Sequence, residues 1–233
     1  SPGKGSKVCT DEEGVEYMTF GDKYLSDNKG KGLKFVPASG AASRMFKDLF
    51  EFYGGDGALE GNAFMKTFFS NIHRFAFYKE LNEACQLNEG RSAEELISEG
   101  SYKAVVDNLL QDKGLAYGRL PKGLLKFHSY PNDINRTPLE EHLVEGAMYA
   151  SGKSGKVNLH FTVSPEHRKL FEALVKQSLP IYTEKYTVEY DVAFSEQKSS
   201  TDTVAATMDN EPFRTEDGKL LFRPGGHGAL IEN

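Results

Sequence analysis

The sequence predicts an α/β protein in which helices separate the strands of a sheet that has at least some parallel pairing. Residues 157–163 and 187–194 alternate apolar and polar side chains, as strands with one buried face do. Segments with helical spacing lie between these strands and the apolar run at 33–37. Strands separated by helices favour parallel pairing, and the ligand cleft of such a sheet lies at the carboxyl ends of its strands.

Composition sets limits on the fold and the partners. The 233 residues are 39% hydrophobic and include 16 Phe and 11 Tyr, which is enough for one substantial core or two small ones. A net charge of -6 argues against a broad nucleic-acid surface, so DNA and RNA are not expected partners. No apolar run approaches the roughly 20 residues that cross a membrane, and the N-terminus has no apolar signal core. We therefore expect a cytoplasmic protein with no membrane partner.

The two cysteines do not form a recognisable redox or metal-binding motif. Cys9 and Cys85 show no CxxC spacing and cannot form a zinc site alone. Reduced thiols are the expected state, and a disulfide between them is the alternative.

The first third of the chain contains an arm, a strand and a helix. Residues 1–32 mix Gly, Lys, Asp and Ser, which predicts a loose arm with one short helix. The run 33–37 is a strand that a proline ends, and small residues lead from it into a helix at 44–53. The glycines at 54–57 end this helix.

Helical spacing continues from 58 to 118, which predicts a helical insertion at about 54–118. Ser92 and Glu95 have the spacing of a capping box, and Ser101 precedes another apolar stripe. Thr137, with Pro138 and Glu140, predicts a second capped helix.

The last third contains strands and a long polar connection. Ser164 and Pro165 open a helix after the strand at 157–163. The segment 195–218 is mostly polar and precedes an apolar run at 219–224. Connections of that length are usually functional or disordered.

The first candidate for chemistry is the loop of Ala, Ser and Gly at 38–42. A loop of small residues between a strand and a helix leaves backbone N–H groups uncovered at the positive end of the helix, where a phosphate binds well. Arg44 adds a cation. The alternative is a tight turn whose residues are small for packing reasons.

The second candidate is Lys122, which Pro121 and Gly123 hold in a turn. Its ammonium is suited to act as a point charge beside phosphates. Leu124, Leu125 and Phe127 then resume a strand-like run. Taken alone, such a lysine is interpreted as solvent-facing rather than catalytic.

The third candidate is the glycine cluster around His227. Gly225, Gly226 and Gly228 permit close approach of the backbone to a flat or anionic ligand, and His227 is placed to donate to it. A glycine-rich hairpin turn with an exposed histidine is the alternative.

Two other arrangements are excluded. His160 and His167 have no third ligand in the sequence pattern, so no zinc site is expected. Ser43 is not in a GxSxG motif, so no hydrolase nucleophile is supported.

The order of these segments resembles the UDP-sugar pyrophosphorylases, notably the UDP-N-acetylhexosamine type. That family has LAGGxGTRL after its first strand, then PKG, a helix, a strand ending near a Gln, and PxGNGGL. The corresponding segments here are PASGAASRM (37–45), LPKGLLKF (120–127), RTPLEEHLVEGA (136–147), FSEQ (194–197) and PGGHGAL (224–230). The chain is also similar to an uncharacterised bacterial family described only as a domain of unknown function.

The resemblance implies a Rossmann-like mixed sheet of the glycosyltransferase-A/nucleotidyltransferase type with a helical insertion. Residues 33–233 would then be an incomplete nucleotidyltransferase-like domain, because the family's metal-binding aspartate lies beyond the last segment. By the same resemblance Arg44 and Lys122 are catalytic cations at the transferring phosphate, and Gln197 with Gly226 contacts the base. The implied nucleotide-binding residues are Ala38, Ser39, Gly40, Ala41, Ala42, Gln197, Gly225, Gly226 and His227.

The implied reaction is transfer of a uridylyl or other nucleotidyl group from a nucleoside triphosphate to a sugar 1-phosphate, with release of pyrophosphate. Mg²⁺ is the implied cofactor, and its ligands are not identified in this chain. The chain departs from the family where Ser39 and Ala42 replace glycines, where His227 replaces Asn, and where PKG follows Arg44 much later. These departures leave two alternatives: a non-catalytic module that senses a nucleotide-sugar, or an interaction protein that uses the aromatic-rich helical insertion.

Overall fold

The structure is a computed structural model that describes residues 3, 5–27, 32–42 and 44–223 of the chain. Within these residues there are eight α-helices and seven β-strands. The helices are α1 (Asp11–Asp27), α2 (Lys47–Gly54), α3 (Ala63–Ser70), α4 (Tyr78–Glu89), α5 (Ala93–Ser98), α6 (Tyr102–Leu110), α7 (Pro138–Tyr149) and α8 (Arg168–Tyr186). The strands are β1 (Leu33–Pro37), β2 (His128–Tyr130), β3 (Ile134–Arg136), β4 (Lys156–Val163), β5 (Glu189–Glu196), β6 (Thr203–Val204) and β7 (Phe222–Arg223).

The main sheet has three parallel strands in the order β1-β4-β5. Val36 is opposite Phe161 in this sheet, and Phe161 is opposite Phe194. The expected mixed sheet is wrong in this respect, because the antiparallel strand pairs β2–β3 and β6–β7 of the described chain are separate from the main sheet. Each strand of the main sheet is reached through helices, and such connections return the chain in the same direction.

One face of this sheet packs against α7 and α8. Val157, Leu159 and Phe161 are buried at alternate positions of β4 and join side chains of both helices in one apolar core. The helix α7 comes very close to the sheet at Gly146, where an added Cβ would lie 2.7 Å from Val157 Cγ1. The strand predicted from alternation is therefore confirmed together with its buried face.

The helices from α2 to α6 form a second core, which is rich in aromatic side chains. All elements between Gly54 and Gly118 are helical, as the spacing of apolar residues predicted. Ser92 and Thr137 both accept from the backbone N–H three residues later, and the glutamate there returns the bond. Both predicted capping boxes are confirmed.

Three expectations differ from the structure. The arm contains a 17-residue helix, α1, that has no buried residue, so the expected short helix is too short. The strand-like run after Lys122 is wrong: residues 122–124 form a 3₁₀ turn in which Leu125 N–H donates to the Lys122 carbonyl at 3.1 Å. Within its described residues, 219–223, the last apolar run contributes the short strand β7 and a bridge from Leu220 to Arg214. Because β7 pairs with β6, the long connection is a set of short hairpins.

Both cysteines are unpaired thiols; Cys9 is exposed and Cys85 is buried. Burial raises the pKa of the Cys85 thiol to about 11. In the part of the chain that the structure describes, no helix is both long and apolar enough to cross a bilayer.

Candidate functional site

The carboxyl ends of the three parallel strands lie side by side, and a small or polar residue follows each of them. Ala38 N–H donates to the Thr162 carbonyl at 2.7 Å, just beyond the end of β1. Gln197 N–H donates to the Val163 carbonyl at 2.9 Å, just beyond the end of β5. The two flanking connections are thus held against the central strand β4 where they leave the sheet.

A buried hydrogen bond joins two of the residues predicted to bind a nucleotide. Ser39 Oγ donates to Gln197 Oε1 at 2.6 Å, and both residues are buried. Gln197 Nε2 in turn donates to Asp202 Oδ1 at 3.2 Å. The loop after β1 and the connection after β5 therefore meet, although they are far apart in the sequence.

Lys122 is also brought to this loop. Its backbone N–H donates to the Gly40 carbonyl at 3.1 Å, and Ala41 forms an isolated antiparallel bridge with Pro121. Gly123 lets this segment pack closely on α8, because a Cβ there would lie 2.8 Å from the Phe171 ring. The helical segment folds away without separating Lys122 from residues 38–42.

Two cations at this edge have no carboxylate partner. Lys122 and Arg44 are exposed, and neither forms an ion pair with any described residue. Arg44 closely follows Ala42, which is buried in the aromatic core of the helices. Both cations are therefore free to interact with an anion beside the loop.

Backbone donors are also uncovered at the loop. Gly40 and Ala41 are exposed, and their N–H groups donate to no residue in the described ranges. The helix α2 starts after Phe46, and no side chain caps its first turn. Uncapped amides beside two cations form a suitable environment for a phosphate.

A cavity of about 200 Å³ lies beneath the loop. Its lining includes Ala38, Gly40, Lys122, Gly123, His142 and Phe171. A Cβ added to Gly40 would meet no other atom within 4 Å, so the protein itself does not require glycine there.

His142 lines this cavity and was not among the residues predicted from the sequence. Burial lowers the pKa of His142, and the nearby Lys34 ammonium lowers it further. The ring therefore presents a neutral imidazole at neutral pH. The sequence contained one indication that His142 is near the core. It lies three residues after Leu139 on α7, so the two residues are neighbours on one face of the helix.

His167 lies in the 3₁₀ turn Pro165–His167, which follows the carboxyl end of the central strand β4. Its Nδ1 lies 2.8 Å from Ser164 Oγ. Burial lowers the pKa of His167, and the positive charge of Arg119 acts in the same direction although Glu166 opposes it. Arg119 is paired with Asp112, so it adds less free positive charge than Lys122.

The described residues do not supply an obvious magnesium site. They contain no group of three or more His, Cys, Asp or Glu side chains that could hold a metal ion. The predicted residues Gly225, Gly226 and His227 lie outside the described residues.

Comparisons with known proteins give a family and no function. Neither the curated proteins nor the solved structures that were compared match the chain, and the resemblance to UDP-sugar pyrophosphorylases receives no support from them. A family model, described as Domain of unknown function (DUF4301), matches residues 1–233. The chain is thus a member of that domain-of-unknown-function family over its whole length.

Proposed function

We propose that the chain is a nucleotidyltransferase-like protein that binds a nucleoside triphosphate at the carboxyl edge of the sheet and transfers its nucleotidyl group to a sugar 1-phosphate. The contact between residues 121–123 and the loop 38–42 carries the proposal. This contact brings Lys122, which has no ion-pair partner among the described residues, to the loop that precedes Arg44 in the sequence. Positive charge and uncovered amides then surround one place at which phosphates can bind.

The topology supports the same location. Three parallel strands in the order β1-β4-β5 have the arrangement of one half of a doubly wound nucleotide-binding sheet. In such sheets the ligand lies outside the carboxyl ends of the strands. A complete Rossmann-like nucleotidyltransferase fold remains part of the proposal.

The proposed reaction requires stabilisation of negative charge. An oxygen of the sugar phosphate attacks the α-phosphorus, and a new P–O bond forms. The bond to pyrophosphate breaks, and its electron pair leaves with the pyrophosphate. The nucleophile is already ionised, so no general base is needed, and Arg44 and Lys122 would stabilise the charge on the phosphate oxygens.

The cavity limits how a nucleotide would bind. Its volume of about 200 Å³ is smaller than the roughly 300–1,000 Å³ of a typical ligand pocket. It would enclose only part of the ligand, while the remainder lies along the exposed loop. His142 would face the enclosed part as a neutral hydrogen-bonding group.

A sensor without catalysis is the alternative, because Ser39 and Ala42 replace glycines of the loop in the family that the chain resembles. Ser39 and Gln197 bond to each other, and the Gln197 amide also donates to Asp202. The Gln197 amide keeps one N–H and one lone pair for contact with a base. The interaction-protein alternative is less favoured, because most aromatic side chains of the helical region are buried in its own core, as Phe69 and Phe77 are, or packed against that core, as Tyr102 is.

The proposal is tested by calorimetry with UTP, ATP, GTP and CTP in the presence of Mg²⁺, together with a pyrophosphate-release assay with sugar 1-phosphates. We expect binding of at least one nucleotide and release of pyrophosphate. Lys122→Ala should lower the rate by about 10²-fold, as removal of a preorganised electrostatic donor does. Lys66→Ala, a change of an exposed lysine on α3, is the control and should leave the rate unchanged.

The outcomes separate the two functions. Nucleotide binding without pyrophosphate release supports the sensing module and contradicts transfer. An absence of nucleotide binding, or an unchanged rate in Lys122→Ala, contradicts the proposed site.

A further inference from the structure

A second cleft lies away from the strand ends, between the helical region and α8. Its volume is about 460 Å³, which is more than twice that of the cavity beneath the loop. Helix α4, strand β3 and the last turns of α8 provide its walls. The lining residues used below are Lys79, Glu80, Asn135, Arg136, Tyr182 and Lys185.

Arg136 is a buried cation in this cleft. Its side chain is 9% exposed, and its Nη1 lies 3.2 Å from Glu141 Oε2. The guanidinium carbon lies 4.3 Å from the centre of the Tyr130 ring and 5.9 Å from that of Tyr182. The two rings and the carboxylate hold the guanidinium in one position, but its Nε has no hydrogen-bond partner.

The same cleft contains other buried polar atoms without a partner. In the described part of the chain, four buried side-chain N or O atoms form no hydrogen bond. Three belong to residues that line this cleft, Glu80 Oε2, Asn135 Oδ1 and Arg136 Nε, and the fourth belongs to Glu141, the ion-pair partner of Arg136. These atoms are inaccessible to solvent in this structure. Leaving such a group unpaired costs about 1–3 kcal/mol, so a ligand that displaces neighbouring side chains of the cleft wall and supplies partners would recover this energy.

Exposed charges of both signs line the cleft, and Asp133 is the exposed carboxylate among them. Lys79 on α4 and Lys185 on α8 are exposed, and neither forms an ion pair with a described residue. Lys126 also lines the cleft, but Glu80 Oε1 is its partner. Two ammonium groups are therefore available for an anion at the mouth of the cleft.

We propose that this cleft binds a sugar phosphate. Hydroxyl groups of the sugar would donate to Glu80 Oε2 and Asn135 Oδ1 and accept from Arg136 Nε, because a hydroxyl both donates and accepts. The phosphate would lie between Lys79 and Lys185. A simple anion cannot satisfy the two acceptors, and a neutral sugar leaves the two ammonium groups unpaired.

The proposal does not depend on the nucleotidyl transfer described above, since it uses none of those residues. The test is calorimetry with glucose 6-phosphate, with glucose and inorganic phosphate as separate probes. We expect glucose 6-phosphate to bind at least tenfold more tightly than either part. The variant Lys79→Ala/Lys185→Ala should weaken its binding by tenfold or more.

Lys176→Ala is the matched control, because Lys176 is exposed on α8 and does not line the cleft. It should bind glucose 6-phosphate like the wild type. Arg136→Lys keeps a positive charge but removes Nε, and it should also weaken binding if it folds. The double rim variant uses only exposed positions, so folding does not limit the test. No binding of glucose 6-phosphate, or equal binding by the double variant and the wild type, would overturn the proposal.

Discussion

The helical region and the carboxyl edge of the sheet differ in how their polar groups are paired. In the helical region Asn108 is fully buried and bonds to Asn88, Glu89 and the Ala104 carbonyl. Lys113 pairs with both Glu89 and Asp107, and these carboxylates raise its pKa to about 12. At the carboxyl edge, by contrast, two cations and two backbone amides have no partner among the described residues.

This difference assigns distinct roles to the two regions. Polar groups that satisfy one another inside a dense apolar core stabilise the fold. Unpaired cations and amides beside a cavity add little stability, but they are available to a ligand. Mutations should therefore change stability in the first region and binding in the second.

The largest effect should come from Gly114→Ala in the helical region. An added Cβ would lie 1.9 Å from the Asn108 carbonyl oxygen, so the backbone must move. We expect the free energy of unfolding, measured by urea denaturation, to fall by about 3 kcal/mol. Gly54→Ala is the control, because its Cβ would meet no atom within 4 Å. Equal stability of the two variants would show that the region is loosely packed.

The next effect concerns the buried hydrogen bond between Ser39 and Gln197 at the carboxyl edge. Ser39→Ala leaves Gln197 Oε1 buried without the donor that now lies 2.6 Å away. The expected loss of unfolding free energy is about 1–3 kcal/mol. A double-mutant cycle with Gln197→Leu should give a coupling of at least about 0.5 kcal/mol. Purely additive losses would mean that the two side chains do not interact in solution.

Gly40→Ala should separate binding from stability. Its Cβ would meet nothing in the protein, so the free energy of unfolding should change by less than about 0.5 kcal/mol. The same Cβ would hinder a ligand that approaches the loop backbone, and UTP affinity measured by calorimetry should fall about tenfold, or 1.4 kcal/mol. Unchanged affinity for UTP would place the ligand elsewhere.

The smallest effect is a dependence of stability on pH. In the folded protein, burial lowers the pKa of His142 and of His167 from the ordinary value of 6.5. As the pH falls below 6.5, these histidines become protonated in the unfolded chain before they do in the folded protein. The free energy of unfolding therefore decreases until the pH is below their folded-state pKa values. The melting temperature should therefore decrease from pH 7 to pH 5.5, and His142→Gln should reduce that slope.

His73→Gln provides the comparison for this slope, because His73 is exposed on the helical region. It should keep the wild-type dependence on pH. A His142→Gln variant with the wild-type slope would show that His142 does not contribute to it.

Local signals in the sequence predicted local structure well. The capping boxes at Ser92 and Thr137 depend on four consecutive residues, and both are present. The alternation predicted the strands because one face of β4 is buried and alternate positions of β5 are half-buried. The run after Lys122 was misread because the spacing of Leu124, Leu125 and Phe127 does not distinguish a strand from a tight 3₁₀ turn.

Contacts between distant segments were harder to predict from the sequence than local structure. The order of motifs brought the loop 38–42, Lys122 and Gln197 into one hypothesis, and the structure places them in contact. The cleft around Arg136 has no such signal, since its lining residues come from several elements with no shared motif. His142 was missed because the sequence does not reveal which residues of other elements a histidine on a helix will contact.

The central claim is that one ligand occupies the place where three distant segments meet. Hydrogen–deuterium exchange with and without UTP and Mg²⁺ measures this most directly. We expect the nucleotide to slow exchange together in the peptides covering 38–42, 119–125 and 195–199, while the helices at 63–110 change little. Absence of protection, or protection confined to the helices, would contradict it.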